Sequence, residues 1–358
     1  MSRFPAPRRT LFAVFALAVG LLVTGPSGRA IALGGNIHPT VAMWAQEAPD
    51  ESVPVVIQVE GSLPEAADFV TRHGGLVEHQ LTLTNALSGT VPASLLPVLS
   101  SRSEFAMVTL DAPVVSTADY SIRSENLRTT FQETVGAAHL WGGENPVTGS
   151  GVGVAVVDTG VSDDAYGEFA SHDAQHGARV TGRFSANSGV SDQEDGFGHG
   201  THVASTIGGY AYQADGEYAG VAPEANLIAV KIDDDAGAAT VGDVIAGLGW
   251  VRDNRLTLNI RVVNLSLSSS VAQSYKIDPL DAAVELLWLN GITVVVAAGN
   301  SADAFSFAPA NDPFVITVGA PDEHGTPDLA DDSIAPWSSR GVTLDGFDQI
   351  VDTSPAPW

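Results

Sequence analysis

An α/β fold, with a parallel sheet covered by helices on both faces and a small α+β unit ahead of it, is what this sequence predicts. Three observations carry the prediction. From Val135 onward, continuous apolar runs alternate with stretches of helical spacing, the pattern of buried parallel strands joined by right-handed crossovers. Residues 53–115 interleave shorter strand-like and helical runs, as a separate mixed unit does. The chain has 358 residues, 44% of them hydrophobic, which suits roughly two domains with real cores and excludes disorder as the overall state.

Taken in order, the elements begin with a targeting segment. Arg3, Arg8 and Arg9 precede the apolar run Leu11 to Val23, followed by Gly25, Pro26 and the small residue Ala30, so residues 1–30 read as a secretory signal peptide. The apolar run is shorter than the roughly 20 residues a membrane span requires. Residues 31–52 read as a loose linker. In 53–115, Val53 to Val59 and Phe105 to Leu110 read as strands, as does Leu87 to Val91. Leu63 to His73 is helical through Ala66, Phe69 and Val70, and a short helix follows in Ala93 to Leu99. Residues 116–134 read as a polar, exposed linker. Residues 135–358 carry the strand runs Val152 to Val157, Asn226 to Ile232, Arg261 to Leu267, Ile292 to Ala298 and Phe314 to Val318. Helices are expected at about His199 to Ile207, Val241 to Arg252 and Pro279 to Trp288.

Composition narrows the chemistry. Lys+Arg number 16 against Asp+Glu 42, a net charge of −26, which excludes nucleic-acid binding through bulk electrostatics. Lys231 and Lys276 are the only lysines, and the acidic excess is spread along the chain as a solvated surface. With no cysteine, there is no disulfide scaffold, thiolate zinc site or thiol nucleophile. Chemistry falls to Ser, His, Asp, Asn and other carboxylates.

Three motifs sit where sites form in such sheets, at the carboxyl ends of strands. Asp158 ends the run Gly153 to Val157, before the turn Thr159-Gly160; alone, such an Asp is more often a turn cap. Asp195-Gly196-Phe197-Gly198-His199-Gly200-Thr201-His202 places a histidine between glycines at a helix start, where the backbone can come close. His202 shares the helical side of His199, and a metal pair with Asp158 as third ligand is the alternative use, though no Glu-containing zinc signature accompanies it. Thr293 to Ala298 runs into Gly299-Asn300-Ser301. Asn300 there is either a turn residue or an amide donor aimed at a developing oxyanion.

In this order and spacing the motifs resemble the subtilisin-like serine protease family over nearly all of the chain after the signal. Val154 to Gly160 matches the aspartate segment, Gly198 to Ala204 the histidine segment, and Ala297 to Asn300 the oxyanion-hole segment. Gly220-Val221-Ala222-Pro223, Ala229-Val230-Lys231, Val263 to Leu267, Pro309-Ala310 and Trp337 to Gly341 agree as well. The resemblance implies a subtilisin-like fold and an endopeptidase in which Asp158 supports His199 as general base and Asn300 binds the oxyanion, while the signal peptide together with the absence of cysteine fits a secreted bacterial protein. It implies a peptide held between Ala238, Ala239 and Thr240 on one side and Ser266, Leu267 and Ser268 on the other. Ala297, Ala298 and Gly299 would line the pocket for the side chain before the cleaved bond. Ser268 stands where the family often has glycine, which bears on the size of that pocket. Residues 53–115 resemble the propeptide that folds, and then inhibits, such enzymes, which implies a processing site in the linker 116–134. The implied partners are peptide or protein substrates and the chain's own propeptide. The expected state is a monomer without nucleic acid or a stable membrane span. No cofactor is required for the chemistry; structural calcium is implied for the family, with no residues of this chain to assign to it.

One departure is large. The family places its nucleophile in a Gly-Thr-Ser-Met-Ala segment that opens a helix, and these 358 residues contain no Gly-Thr-Ser. Ser354, in Asp352-Thr353-Ser354-Pro355, lacks the preceding glycine and the helix. The expectation is a chain truncated or frame-shifted before its nucleophile, inactive as written, or a remnant that binds peptides without cleaving them.

Overall fold

The computed structural model describes residues 36–47, 51–116, 129–141, 145–162, 169, 179–187, 189–190, 193–210, 218–302, 307–326, 328–345 and 348–349. The expected signal segment, most of the polar linker after Ser116, and Ser354 lie outside them.

The chain begins with helix α1 (Pro39–Glu47) and then builds a four-stranded antiparallel sheet. Its elements are β1 (Ser52–Val59), α2 (Leu63–Arg72), β2 (Leu76–Leu81), β3 (Ala86–Pro92), α3 (Leu96–Ser100) and β4 (Phe105–Leu110), in the strand order β2-β3-β1-β4. The apolar alternation of β1 buries Val53, Val55, Ile57 and Val59, and Val56 is buried as well. Ser62 caps α2 by accepting the Glu65 amide at 3.4 Å. Two elements depart from expectation. Leu76 to Leu81 forms an edge strand, missed because its residues are mostly exposed and carry no apolar run. The supposed linker 31–52 contains α1, which docks through the buried Val41, while Ile37 bridges to Val108.

A short strand, β5 (Pro113–Ser116), leads out of this unit. After α4 (Phe131–Thr134) and α5 (Ala137–Leu140) come β6 (Gly153–Asp158), β7 (Val180–Ser185), α6 (His199–Gly208), β8 (Asn226–Lys231), β9 (Ala238–Thr240) and α7 (Val241–Asn254). Next are β10 (Ile260–Leu265), β11 (Leu267–Ser269), α8 (Pro279–Leu289), β12 (Thr293–Ala297) and β13 (Ile316–Val318). Six strands form a parallel sheet in the order β13-β12-β10-β6-β8-β7. Every residue of β6 is buried, as a central strand covered on both faces requires. Ala155 and Val157 pack into the core shared with α7 and α8, whereas Val156 packs with Leu227, Ala229 and Ala204 of α6 on the opposite face. Strand β7 was missed because it is a half-buried edge strand carrying Thr181, Arg183 and Ser185.

Polar caps fix the helices that carry the groove. Thr240 caps α7 in a reciprocal box: its hydroxyl accepts the Asp243 amide at 3.3 Å, and Asp243 Oδ2 accepts the Thr240 amide at 3.0 Å. Asp278 caps α8 by accepting the Leu280 amide at 2.8 Å. The 53–115 unit sits against α7. Asp111 Oδ1 accepts the Gly242 amide at 2.9 Å, and His79 Nε2 lies 3.2 Å from Asp243 Oδ1. The single run expected over Arg261 to Leu267 is divided at Ser266. Residues up to Leu265 stay in the parallel sheet, and Leu267–Ser269 leave it to pair with β5.

Candidate active site

The strand order reverses direction at β6, with β8 on one side and β10 on the other, so a crevice opens beyond the carboxyl ends of these strands. Asp158 closes β6 at that point, buried, with Oδ1 accepting the Thr159 amide at 2.8 Å and lying 2.6 Å from His199 Nδ1. A carboxylate against Nδ1 selects the tautomer that carries its proton there, which leaves Nε2 as the basic nitrogen. Burial alone would lower the His199 pKa. The hydrogen bond to Asp158, with the negative charges of Asp158, Asp195 and Asp233, overcomes it and holds the ring above its ordinary value.

The helix start that presents His199 is built by Asp195. Its Oδ1 accepts the Thr159 hydroxyl at 2.7 Å and the Gly198 amide at 2.6 Å, and its Oδ2 accepts the Thr201 amide at 2.8 Å and hydroxyl at 2.6 Å. Burial would raise the Asp195 carboxyl, but these bonds hold it below the ordinary range. Gly200 is required for contact: a Cβ there would meet the Gly160 carbonyl oxygen at 2.2 Å and the Asp158 Cβ at 3.1 Å.

Strands β9 and β11 face each other across the crevice, and β5 lies between them, antiparallel to both. Val114 pairs with Ala239 on one side and Ser269 on the other, and Val115 pairs with Ala238 and Ser268. Of the groove residues read from the sequence, Ala238, Ala239 and Thr240 form β9, Leu267 and Ser268 lie in β11, and Ser266 is the break between β10 and β11.

Register places the remaining predicted residues at the same end of the sheet. Asn264 pairs with Val156 of β6 and with Val295 of β12, so Asp158, Ser266 and Ala297 stand at one level, with Ala298, Gly299 and Asn300 just beyond. Asn300 is exposed there. Its loop is braced by Ser339, whose amide donates to the Gly299 carbonyl at 2.9 Å and whose Oγ accepts the Ser301 amide at 3.2 Å. His202 is exposed. Among the described residues no group of three or more His, Asp or Glu side chains is arranged to hold a metal ion. Among the described residues no hydroxyl is hydrogen-bonded to the His199 ring.

Sequence reading missed the roles of Thr159, Asp195 and Asp233. Asp195 carried a signal, an acidic side chain just ahead of a helix start. Asp233 lies within the acidic run Asp233-Asp234-Asp235 and was absorbed into the surface charge, yet it is buried and lines the groove pocket with Asp158 and Val114.

A histidine held by a buried carboxylate thus lies beside a groove occupied by an extended strand. Residues 149–351 match the subtilase family, and the chain belongs to it. It is 35% identical over 262 residues to the serine protease AprX of Bacillus subtilis (strain 168), covering 71% of this chain and 55% of that one. It is 34% identical over 256 residues to a cuticle-degrading serine protease of Orbilia oligospora, covering 71% and 54%. The chain thus spans about half the length of these curated relatives. Fervidolysin from Fervidobacterium pennivorans, a keratinolytic enzyme related to subtilisin, shares the fold with a TM-score of 0.58 at 24% identity, covering 81% of this chain and 46% of that one.

Proposed function

We propose that this chain is the front part of a secreted serine endopeptidase. Asp158 orients His199, His199 Nε2 takes the proton of a serine hydroxyl as that oxygen attacks the peptide carbonyl, and the Asn300 amide donates to the oxyanion. The observation that carries the reading is the 2.6 Å Asp158–His199 contact at the end of β6, beside a groove in which β5 is already paired on both edges. The nucleophile is assigned to sequence outside these residues, because they contain no Gly-Thr-Ser and no described hydroxyl engages His199. The 358-residue polypeptide by itself is accordingly proposed to be inactive.

Residues 53–115 are read as an inhibitory propeptide. Its support is the path of β5, which follows β4 and is paired antiparallel on both edges, with β9 and β11, as an added strand would be. Export rests on residues 1–30. Among the described residues no helix is long and apolar enough to cross a membrane.

The test uses two polypeptides: this chain, and this chain extended through a serine segment encoded downstream. The extended form is expected to cleave peptides in a reaction blocked by a serine-directed phosphonate and lost in His199→Ala, whereas the shorter form shows no such activity. Phosphonate-sensitive hydrolysis by the 358-residue form, or none by the extended form, overturns the assignment. If the shorter form binds peptides and no downstream serine segment exists, the protein is a peptide-binding remnant.

A further inference from the structure

Asp233 follows β8 by two residues and is 3% exposed. Its Oδ1 has no hydrogen-bond partner among the described residues, an expensive arrangement for a buried carboxylate. The cation closest in sequence, Lys231, is already engaged: its Nζ donates to Asp235 Oδ1 at 2.7 Å and to the Glu194 carbonyl at 2.6 Å. Burial, and then the charge of Asp158, push the Asp233 carboxyl up to about 7 against the pull of Lys231. Asp233 and Val114 of β5 line one small pocket with Asp158, Thr159, Gly237, Ala239 and Leu267. The strand seated in the groove thus offers an apolar side chain to a pocket whose wall holds an unsatisfied acceptor beside a second carboxylate.

We propose that Asp233 makes this pocket an acidic subsite, selecting a lysine or arginine at the substrate position that Val114 occupies in β5. The proposal rests on the reading that β5 lies where substrate lies. A cationic side chain supplies the missing donor and offsets the like charges of Asp233 and Asp158; a neutral donor does only the first, and an acidic side chain is repelled. Gly237, with the Phe197 ring 3.0 Å from where its Cβ would stand, and Ala239 complete the lining beside Asp233. Val114 fills the pocket without pairing the carboxylate, so a basic substrate holds the groove more tightly than the chain's own strand and can replace it.

The test is a charge cycle in the full chain, read by amide hydrogen exchange at Val114, Val115 and Ser116, with β6 amides as the measure of folding. With Asp233 present, Val114→Lys is expected to keep β5 at least as protected as in the wild type. In Val114→Lys combined with Asp233→Asn, protection is expected to fall by about tenfold or more, the scale of one lost charge-assisted hydrogen bond. Val114→Arg, with and without Asp233→Asn, repeats the cycle should the lysine variant fail to fold. Equal loss of protection with Asp or Asn at 233 overturns the subsite while leaving the groove reading intact. Unprotected wild-type β5 amides beside protected β6 amides instead overturn the groove reading, and the subsite with it.

Discussion

The Thr159 hydroxyl donates to Asp195 Oδ1 at 2.7 Å and accepts the Gly200 amide at 2.8 Å. One side chain thereby joins the end of β6 to the start of α6, and so fixes Asp158 relative to His199. Asp195 is the acceptor on which the arrangement depends, since Thr201 and Gly198 also donate to it.

Replacing Asp195 by Asn turns one of these acceptors into a donor facing the Thr201 amide. The expected loss is about 2 kcal/mol in urea unfolding, because charge-assisted bonds are removed from a partly buried site. Thr159→Val, which removes only the bridging hydroxyl, is expected to cost about half as much. The sign with pH follows from the lowered Asp195 pKa. Its contribution is present above the ordinary carboxylate value and is lost as pH falls through the depressed one. A variant whose deficit persists unchanged under strong acid would assign the loss to packing instead.

Docking of the 53–115 unit on α7 is expected to weaken as pH rises. His79 faces Asp243, with Glu78 and Asp111 nearby. The hydrogen bond to Asp243 outweighs burial and raises the His79 pKa, while burial pushes Asp111 up to about 7 despite the amide of Gly242. For Asp111 the docked state holds its proton longer, so stability declines from the ordinary value of 3.8 and is fully lost above about 7. For His79 the contribution is present below 6.5 and is lost as pH passes the raised value. Limited proteolysis across this range should show progressive exposure of the unit. Asp111→Asn should flatten the lower part of the profile and His79→Ala the upper; a profile unchanged in both variants refutes the assignment.

A second acidic cluster lies under α8. Asp281 is fully buried with neither carboxylate oxygen hydrogen-bonded at close range, and Asp278 and Asp312 share its surroundings. Burial drives all three upward, Asp278 to about 6, Asp312 to about 7 and Asp281 well above its ordinary value. Raised carboxyls lose stability as pH rises through their folded values. Asp281→Asn is therefore expected to stabilise the chain by on the order of 2 kcal/mol at alkaline pH, with little change under acid. Thermal melts at the two extremes check this, and equal shifts at both would show that the charge is not responsible.

The legible parts of this molecule are those whose residues are committed by burial. Val154 to Val157 could only be a covered strand, and Gly200 beside His199 marks a close approach that no other residue tolerates. Edge elements were lost: β2 and β7 expose polar side chains, and their strand geometry is imposed by neighbours rather than by an apolar pattern. The break at Ser266 was hidden for a different reason. Leu265 and Leu267 read as one alternating run, yet Leu265 stays in the parallel sheet while Leu267 turns to pair with Ser116. Asp233 was hidden because nothing in Asp233-Asp234-Asp235 distinguishes the aspartate that turns inward.

The final prediction separates contact from backbone strain at the histidine segment. Gly198 and Gly200 flank His199, but they are glycine for different reasons. Gly198 has φ +99° and open space, with no atom within 4 Å of where a Cβ would stand, whereas a Cβ on Gly200 would press on the Gly160 carbonyl oxygen at 2.2 Å. Gly198→Ala is thus expected to cost about 1 kcal/mol, the strain of a left-handed residue, and to leave the Asp158–His199 hydrogen bond in place. Gly200→Ala must push α6 away from β6, because the nearest opposing atom is a backbone oxygen that cannot rotate aside, and a loss of about 3 kcal/mol is expected. The downfield proton resonance of a His Nδ1–H held by a carboxylate reads the geometry independently of stability. It should survive in Gly198→Ala and vanish in Gly200→Ala while the β6 amides remain protected. Survival of that resonance in both variants would mean that His199 is positioned by its own pairing with Asp158, and not by the seating of α6 on the end of β6.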